Sequence, residues 1–181
     1  MKLYVLHASM YGHTAALADA IAKGAEEVSG SEVILKDVED LENVDELMSA
    51  DAIIWGSSSY FGEPNPKMAT FLGKLGRLWA TGVLQGKIGG VFGSSSSTHG
   101  GIENLLRALQ TPMMHHGMII VSNTGALTEE RIKYGCPYGA CATIPVETSK
   151  EAPMNLPSEA ELELAKEYGA LVAKTAWRFT K

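Results

Sequence analysis

Five short apolar runs recur along the chain, each bounded by turn residues: LYVLH (3–7), EVILKDV (32–38), AIIWGS (52–57), IGGVFGS (88–94) and GMIIVSN (117–123). Between them the apolar spacing lengthens. AALADAIAKGAEEV (15–28) reads as a helix, and NVDELMSA (43–50) as a short, weakly patterned one. Met68, Phe71, Leu72, Leu75, Leu78 and Trp79 keep three- and four-residue steps, as do Ile102, Leu105, Leu106, Leu109 and Met113. Pro157 and a Ser158-x-x-Glu161 capping box open the last helix. Its stripe runs Leu164, Tyr168, Leu171, Val172, Thr175, Phe179. Strands that are apolar throughout and alternate with helices predict an α/β domain with a parallel sheet covered on both faces. Residues 123–157 fit neither period, and unstructured stretches of that length are uncommon in compact domains unless they are functional.

A doubly wound sheet binds ligands outside the carboxyl ends of its strands. The loops there are HASMYGHT (7–14), GSSSYFGEPNP (56–66) and GSSSSTHGG (93–101), all rich in Ser, Gly and Thr. In the first, Ser9, Tyr11 and Thr14 carry hydroxyls, Gly12 admits close backbone approach, and Thr14 falls where a helix begins. Helix-start amides bind an anion without lysine, so the lack of Lys or Arg in 7–14 does not exclude a phosphate. An N-capped turn explains the same residues equally well. Tyr60 and Phe61 suit the face of a planar ligand. His115-His116-Gly117 reads first as a helix C-terminus favoured by the dipole, and Trp79 as core packing.

Other phosphate and catalytic motifs fail. No GxGxxG follows the first strand, GVLQGK (82–87) lacks the P-loop spacing, and Gly93 to Ser97 lacks the closing glycine of a hydrolase elbow. A receiver domain would need acidic residues at the end of the first strand, where His7-Ala8-Ser9 stands.

Composition narrows the classes further. At 181 residues and 45% apolar content the chain predicts one globular domain, 1–181. A net charge of −6 argues against nucleic acid as partner. Two cysteines, Cys136 and Cys141, make no disulfide framework and too few ligands for an iron–sulfur cluster. They are read as structural or incidental, and no metal is expected. No run is long enough for a membrane span or a signal-peptide core, so a cytoplasmic protein is expected.

The ordered set Ser9-Met10-Tyr11-Gly12-His13-Thr14, Asp51 to Gly56, Tyr60-Phe61-Gly62, Lys67 to Phe71, Leu78 to Gly82, Ser94 to Gly101, His115 to Met118 and Pro137-Tyr138-Gly139 resembles the WrbA-type flavodoxin-like NAD(P)H:quinone oxidoreductases. The likeness covers nearly the whole chain. It implies a flavodoxin-like, doubly wound, five-stranded parallel sheet of order 2-1-3-4-5. It also implies FMN as cofactor, NADH or NADPH as co-substrate, a quinone as acceptor and a homotetramer. By position, Ser9, Met10, Tyr11, Gly12, His13 and Thr14 would hold the phosphate, and Ser59, Tyr60 and Phe61 would line the ring. Ser94, Ser95, Ser96, Ser97, Thr98 and His115 would meet its edge. Tyr11 and Trp79 resemble aromatics flanking the nicotinamide and quinone position, and His115 or Tyr138 would supply a proton.

The chain departs from the family in three places. The segment between strands two and three is shorter than usual, Tyr60 stands where an arginine is common, and the serine run is about one residue longer. One site used in turn by both substrates implies ping-pong kinetics. A one-electron carrier of flavodoxin type and an azo- or nitro-reductase remain the alternatives. Part of 123–157 is expected to lie against the flavin site or a neighbouring subunit.

Overall fold

A computed structural model describes residues 1–144 and 156–180. The central strands are β1 (Lys2–Ala8), β2 (Glu32–Asp37), β3 (Ala52–Tyr60) and β5 (Ile88–Ser95), with β4 (Glu63–Pro64) a short antiparallel return on β3. β6 (Ile119–Ile120) and β7 (Ala140–Thr143) share the outer edge of β5. The sheet order is β2-β1-β3-β5-β6, all parallel, which is the expected 2-1-3-4-5 order once the β4 return is set aside.

The helices are α1 (His13–Glu26), α2 (Pro66–Lys74), α3 (Gly76–Thr81), α4 (Ile102–His115), α5 (Glu129–Tyr134) and α6 (Glu159–Phe179). Val44–Ser49 winds as a 3₁₀ segment, where sequence predicted a short helix. The stripe from Met68 to Trp79 is broken near Leu75 into α2 and α3; the Leu75 amide bonds back only three residues to Leu72. The Ser158–Glu161 capping box forms as predicted.

Strand alternation divides the core into two layers. Tyr4, Leu6, Ile53, Trp55 and Val91 pack beneath α2, α3 and α4. Leu3, Val5, Ile54, Ile88 and Phe92 pack beneath α1 and α6. Trp55 is fully buried, and its indole N–H donates to the Leu109 carbonyl at 3.0 Å. The backbones of α1 and α6 touch directly: a Cβ at Gly24 would stand 1.9 Å from the Lys166 carbonyl oxygen, and one at Gly169 1.9 Å from that of Ile21.

The fifth strand is where the expectation needs correcting. GMIIVSN (117–123) yields only Ile119–Ile120, paired with Ile88 and Gly89. The chain then leaves the sheet, forms α5, and returns as β7 beside Phe92 to Ser95. The segment left unplaced by sequence thus contains α5 and, in β7, the second half of an interrupted edge strand; residues 145–155 lie outside the described part. The interruption exposes ladder groups that need partners. Tyr168 supplies them from α6. Its fully buried hydroxyl accepts from the Val91 amide at 3.2 Å and donates to the Val121 carbonyl at 2.8 Å. Burial pushes this phenol well above its ordinary value, so it stays a donor at any working pH.

Tyr168→Phe leaves both backbone groups buried without that partner. It should lower the unfolding free energy by about 1–3 kcal/mol, read from urea midpoints at unchanged slope. No loss would mean that β6 and β7 close the ladder by themselves.

Candidate ligand-binding site

The three loops meet at the carboxyl edge of the sheet around a cleft of about 740 Å³. Its walls are Met10, Tyr11 and His13 from the first loop, Ser58 to Phe61 from the second, and Ser94 to Ser96 from the third. Ile144, just past β7, completes it. A volume of this size is that of a pocket for one small organic ligand.

The first wall follows from one glycine. Gly12 sits at φ 86°, a left-handed conformation that turns β1 into α1 within a few residues. Ser9 Oγ accepts the Gly12 amide at 3.0 Å, which holds the turn and leaves its own hydrogen free to donate. No side chain caps α1, and its first backbone bond runs from the Ala16 amide to the Gly12 carbonyl. The amides of His13, Thr14 and Ala15 thus have no carbonyl within the helix. Unsatisfied donors at the positive end of a helix dipole form an anion site. Beside them, the Nε2 atom of His13 is buried with no hydrogen-bond partner.

The loops are tied to each other. Thr14 Oγ1 and Ser94 Oγ hydrogen-bond at 2.8 Å, both side chains buried, which joins the first loop to the third. Asn65, fully buried, joins the first to the second. Its Nδ2 donates to the Ala8 carbonyl at 2.9 Å and to Ser58 Oγ at 3.0 Å, while Oδ1 caps α2 at Met68. Ser59 Oγ donates to the Gly100 carbonyl at 3.0 Å and accepts the Gly62 amide at 3.2 Å, joining the second to the third.

The lip is aromatic and open. Tyr11 is 72% exposed, and Phe61 is fully exposed at φ 55°, in the left-handed region that a bulky residue rarely takes. A strained, unburied aromatic at the mouth of a cleft is placed to meet a ligand or another molecule.

His7, at the end of β1, stands 3.4 Å from Asp37, yet burial outweighs the attraction of the Asp37 and Asp40 carboxylates and lowers its pKa. Burial, and then His115, lowers that of His116.

Of the residues anticipated from sequence, Met10, Tyr11, His13, Ser59, Tyr60, Phe61, Ser94, Ser95 and Ser96 line the cleft, and Ser9, Gly12 and Thr14 brace it. Ser97 and Thr98 are exposed beyond its rim. Trp79, His115 and Tyr138 are not brought to it within one chain. The turn after α4 meets the turn before β5, Gly86 amide to Gly117 carbonyl at 2.9 Å, so His115 and Trp79 sit at the amino edge of the sheet. The expected core packing of Trp79 fails as well, since it is 57% exposed. Tyr138 stacks instead with Arg107, at 5.2 Å. Sequence reading missed Ser58, Asn65 and Ile144. Asn65 carried a signal, as an N-cap residue before Pro66. Ile144 carried none.

A doubly wound parallel sheet with an uncapped helix start and an aromatic mouth at its carboxyl edge defines an α/β nucleotide-binding fold. The flavodoxin family model matches residues 5–136, and the chain belongs to that family. It is 37% identical to an NAD(P)H dehydrogenase (quinone) from Geotalea daltonii, over 98% of each chain. Among solved structures it is similar to a WrbA-like flavodoxin from Agrobacterium tumefaciens, with a TM-score of 0.73 and 28% identity over 98% of both chains. A flavodoxin from the domain Archaea matches with a TM-score of 0.70 and 25% identity, over 98% of this chain and 99% of that one.

Two outcomes are expected here. Thr14→Val and Ser94→Ala should each cost about 1–2 kcal/mol of stability, and the double variant less than the sum, because each single change leaves a buried hydroxyl unpaired. Strict additivity would show that the pair is not coupled. The depressed His7 and His116 remain neutral in the folded chain while the unfolded chain protonates. Stability should therefore hold above the ordinary histidine value of 6.5 and fall as pH drops through it. His7→Gln with His116→Gln should flatten that slope in pH-dependent urea titrations.

Proposed function

We propose that the protein is an FMN-dependent NAD(P)H:quinone oxidoreductase, one FMN-binding domain working as a homotetramer. The observation that carries the reading is the uncapped start of α1 opening on a cleft with an aromatic mouth; the 37% identical quinone dehydrogenase supports the choice of reaction. The site fits the cofactor. Amides of residues 13–15 and the hydroxyls of Ser9 and Thr14 suit a phosphate dianion. The partnerless Nε2 of His13 is a further polar atom in the wall. Met10, Tyr60, Phe61 and Ile144 offer apolar walls to a planar ring, and Ser94 to Ser96 polar groups to its edge.

When bound, FMN would supply two-electron hydride transfer between nicotinamide and quinone. The chain's part is to orient and shield. Tyr11 and Phe61 leave one side of the cleft open at the mouth, where a flat substrate can stack between aromatic faces. No separate nucleotide site is apparent among the described residues, so nicotinamide and quinone would use this mouth in turn. Reduction of benzoquinone by NADH or NADPH should give parallel double-reciprocal plots. Intersecting lines would require both substrates bound at once and would defeat the one-site mechanism.

The tetramer answers where Trp79, His115 and Tyr138 would act. A neighbouring subunit is the route by which Trp79 and His115, at the amino edge, can approach a cleft at the carboxyl edge. Exposed Trp79, Met114, Leu127 and Ile132 give apolar surface for assembly. Trp79→Ala should then reduce turnover at least tenfold with FMN affinity little changed, about 1.4 kcal/mol in transition-state stabilisation. Light scattering over a dilution series should show activity falling with dissociation. A monomer that stays fully active at every concentration would overturn the assembly.

A further inference from the structure

The Phe61 ring is fully exposed, so its position at the cleft mouth is set by the backbone that carries it. That backbone is a two-residue turn. Tyr60 pairs with Glu63 across it, and Phe61 and Gly62 both take positive φ, 55° and 88°. Hairpin turns with two positive φ angles favour Asn or Asp before the glycine. A phenylalanine in that place persists only where its surroundings hold it.

The holding groups come from Ser59, the third loop and the start of α4. Ser59 Oγ accepts the Gly62 amide at 3.2 Å and donates to the Gly100 carbonyl at 3.0 Å. Asn104, in the first turn of α4, donates from Nδ2 to the Gly62 carbonyl at 3.0 Å and to Glu63 Oε1 at 3.2 Å. A carbonyl and a carboxylate only accept, so both Nδ2 hydrogens are used. Ser59 therefore fixes the peptide between Phe61 and Gly62, and Asn104 fixes the next one. Gly62 is buried beneath the exposed ring, and Gly101 runs against it. A Cβ on Gly101 would stand 2.7 Å from Gly62 Cα. Asn104 itself is exposed and takes no part in the cleft lining. Its two side-chain bonds both end on this turn.

We propose that Asn104 is a positioning residue for the substrate mouth. By fixing the peptide after Gly62 it holds the Phe61 ring as one face of the slot in which nicotinamide and quinone stack. It thereby sets the affinity of the mouth for flat substrates, while the phosphate end of the cleft is left to the first loop. Asn104 touches neither substrate nor cofactor and acts through Phe61. The identity of the substrates rests on the reaction proposed above; the hold on the turn does not.

Asn104→Asp tests the hold with little change of shape, because it sets a carboxylate against the Gly62 carbonyl and the Glu63 carboxylate. Nitrogen-15 relaxation is measured on the full chain as purified. In the wild type the Phe61 and Gly62 amides should have order parameters of about 0.85, as rigid backbone does, and in the variant below about 0.6. The amides of α1 and of the rest of α4 should not change. Unchanged order parameters at Phe61 and Gly62 in the variant would overturn the proposal.

Turnover with FMN, NADH and benzoquinone tests the consequence. Asn104→Asp should raise the benzoquinone KM on the order of tenfold, the size of one aromatic contact, with kcat and FMN affinity within about twofold of wild type. Phe61→Leu should raise KM alike. Adding Asn104→Asp to it should raise KM no further, because the one residue acts through the other. Additive effects on KM, or a parallel loss of kcat and FMN affinity, would overturn the positioning role. A wild-type chain that reduces no quinone would sink the reading of function and the substrate half of this inference with it, while the relaxation data would still decide whether Asn104 holds the turn.

Discussion

The parallel pairing of β3 with both β1 and β5 determines where every functional loop begins. Ala8 pairs with Ser57, and Ser58 with Ser94, so the three chains leave the sheet at one edge. Parallel strands need crossovers, and the crossover after β1 must turn at once into a helix lying on the sheet. Gly12 allows that turn. The result is a helix whose unsatisfied amides point out over the same edge where two Ser-rich loops emerge. Anion binding at this edge is a consequence of topology before it is one of side chains.

Side chains then make the edge rigid. The Thr14–Ser94 pair and the Asn65 bond to the Ala8 carbonyl tie the first loop to the others, and these links are buried. Buried hydrogen bonds among loops hold better than exposed ones, since breaking them strands polar groups away from water. The mouth is the opposite case. Tyr11 and Phe61 have little protein against them, and Phe61 sits in a left-handed conformation beside Gly62, whose amide and carbonyl are bonded to Ser59 and Asn104. A firm base under a free aromatic lip suits a site that retains one flat ligand and exchanges another.

Most of the frame was legible from the apolar pattern. LYVLH, AIIWGS and IGGVFGS became β1, β3 and β5, because buried parallel strands have no polar face to disguise them. The interrupted edge strand was hidden for a physical reason. Ile119–Ile120 is too short to signal a strand, and Ala140–Thr143 is too small and polar, while the group completing the ladder comes from Tyr168 on a helix far along the chain. Loop residues with hydroxyls or aromatic rings were singled out in the sequence, and most of them line the cleft. Trp79 and His115 were assigned to it by likeness alone, and nothing in their helical spacing could show that they lie at the other end of the sheet. Asn65 was overlooked because its links run across loops, where period carries no information.

The central claim is that the start of α1 recognises the phosphate of FMN. Fluorescence titration of the purified chain with FMN and with riboflavin, which lacks the phosphate, tests it most directly. The account expects FMN to be quenched and bound at least 100-fold more tightly than riboflavin, about 2.7 kcal/mol. Equal affinity for the two, or no uptake of FMN at micromolar concentration, would contradict it.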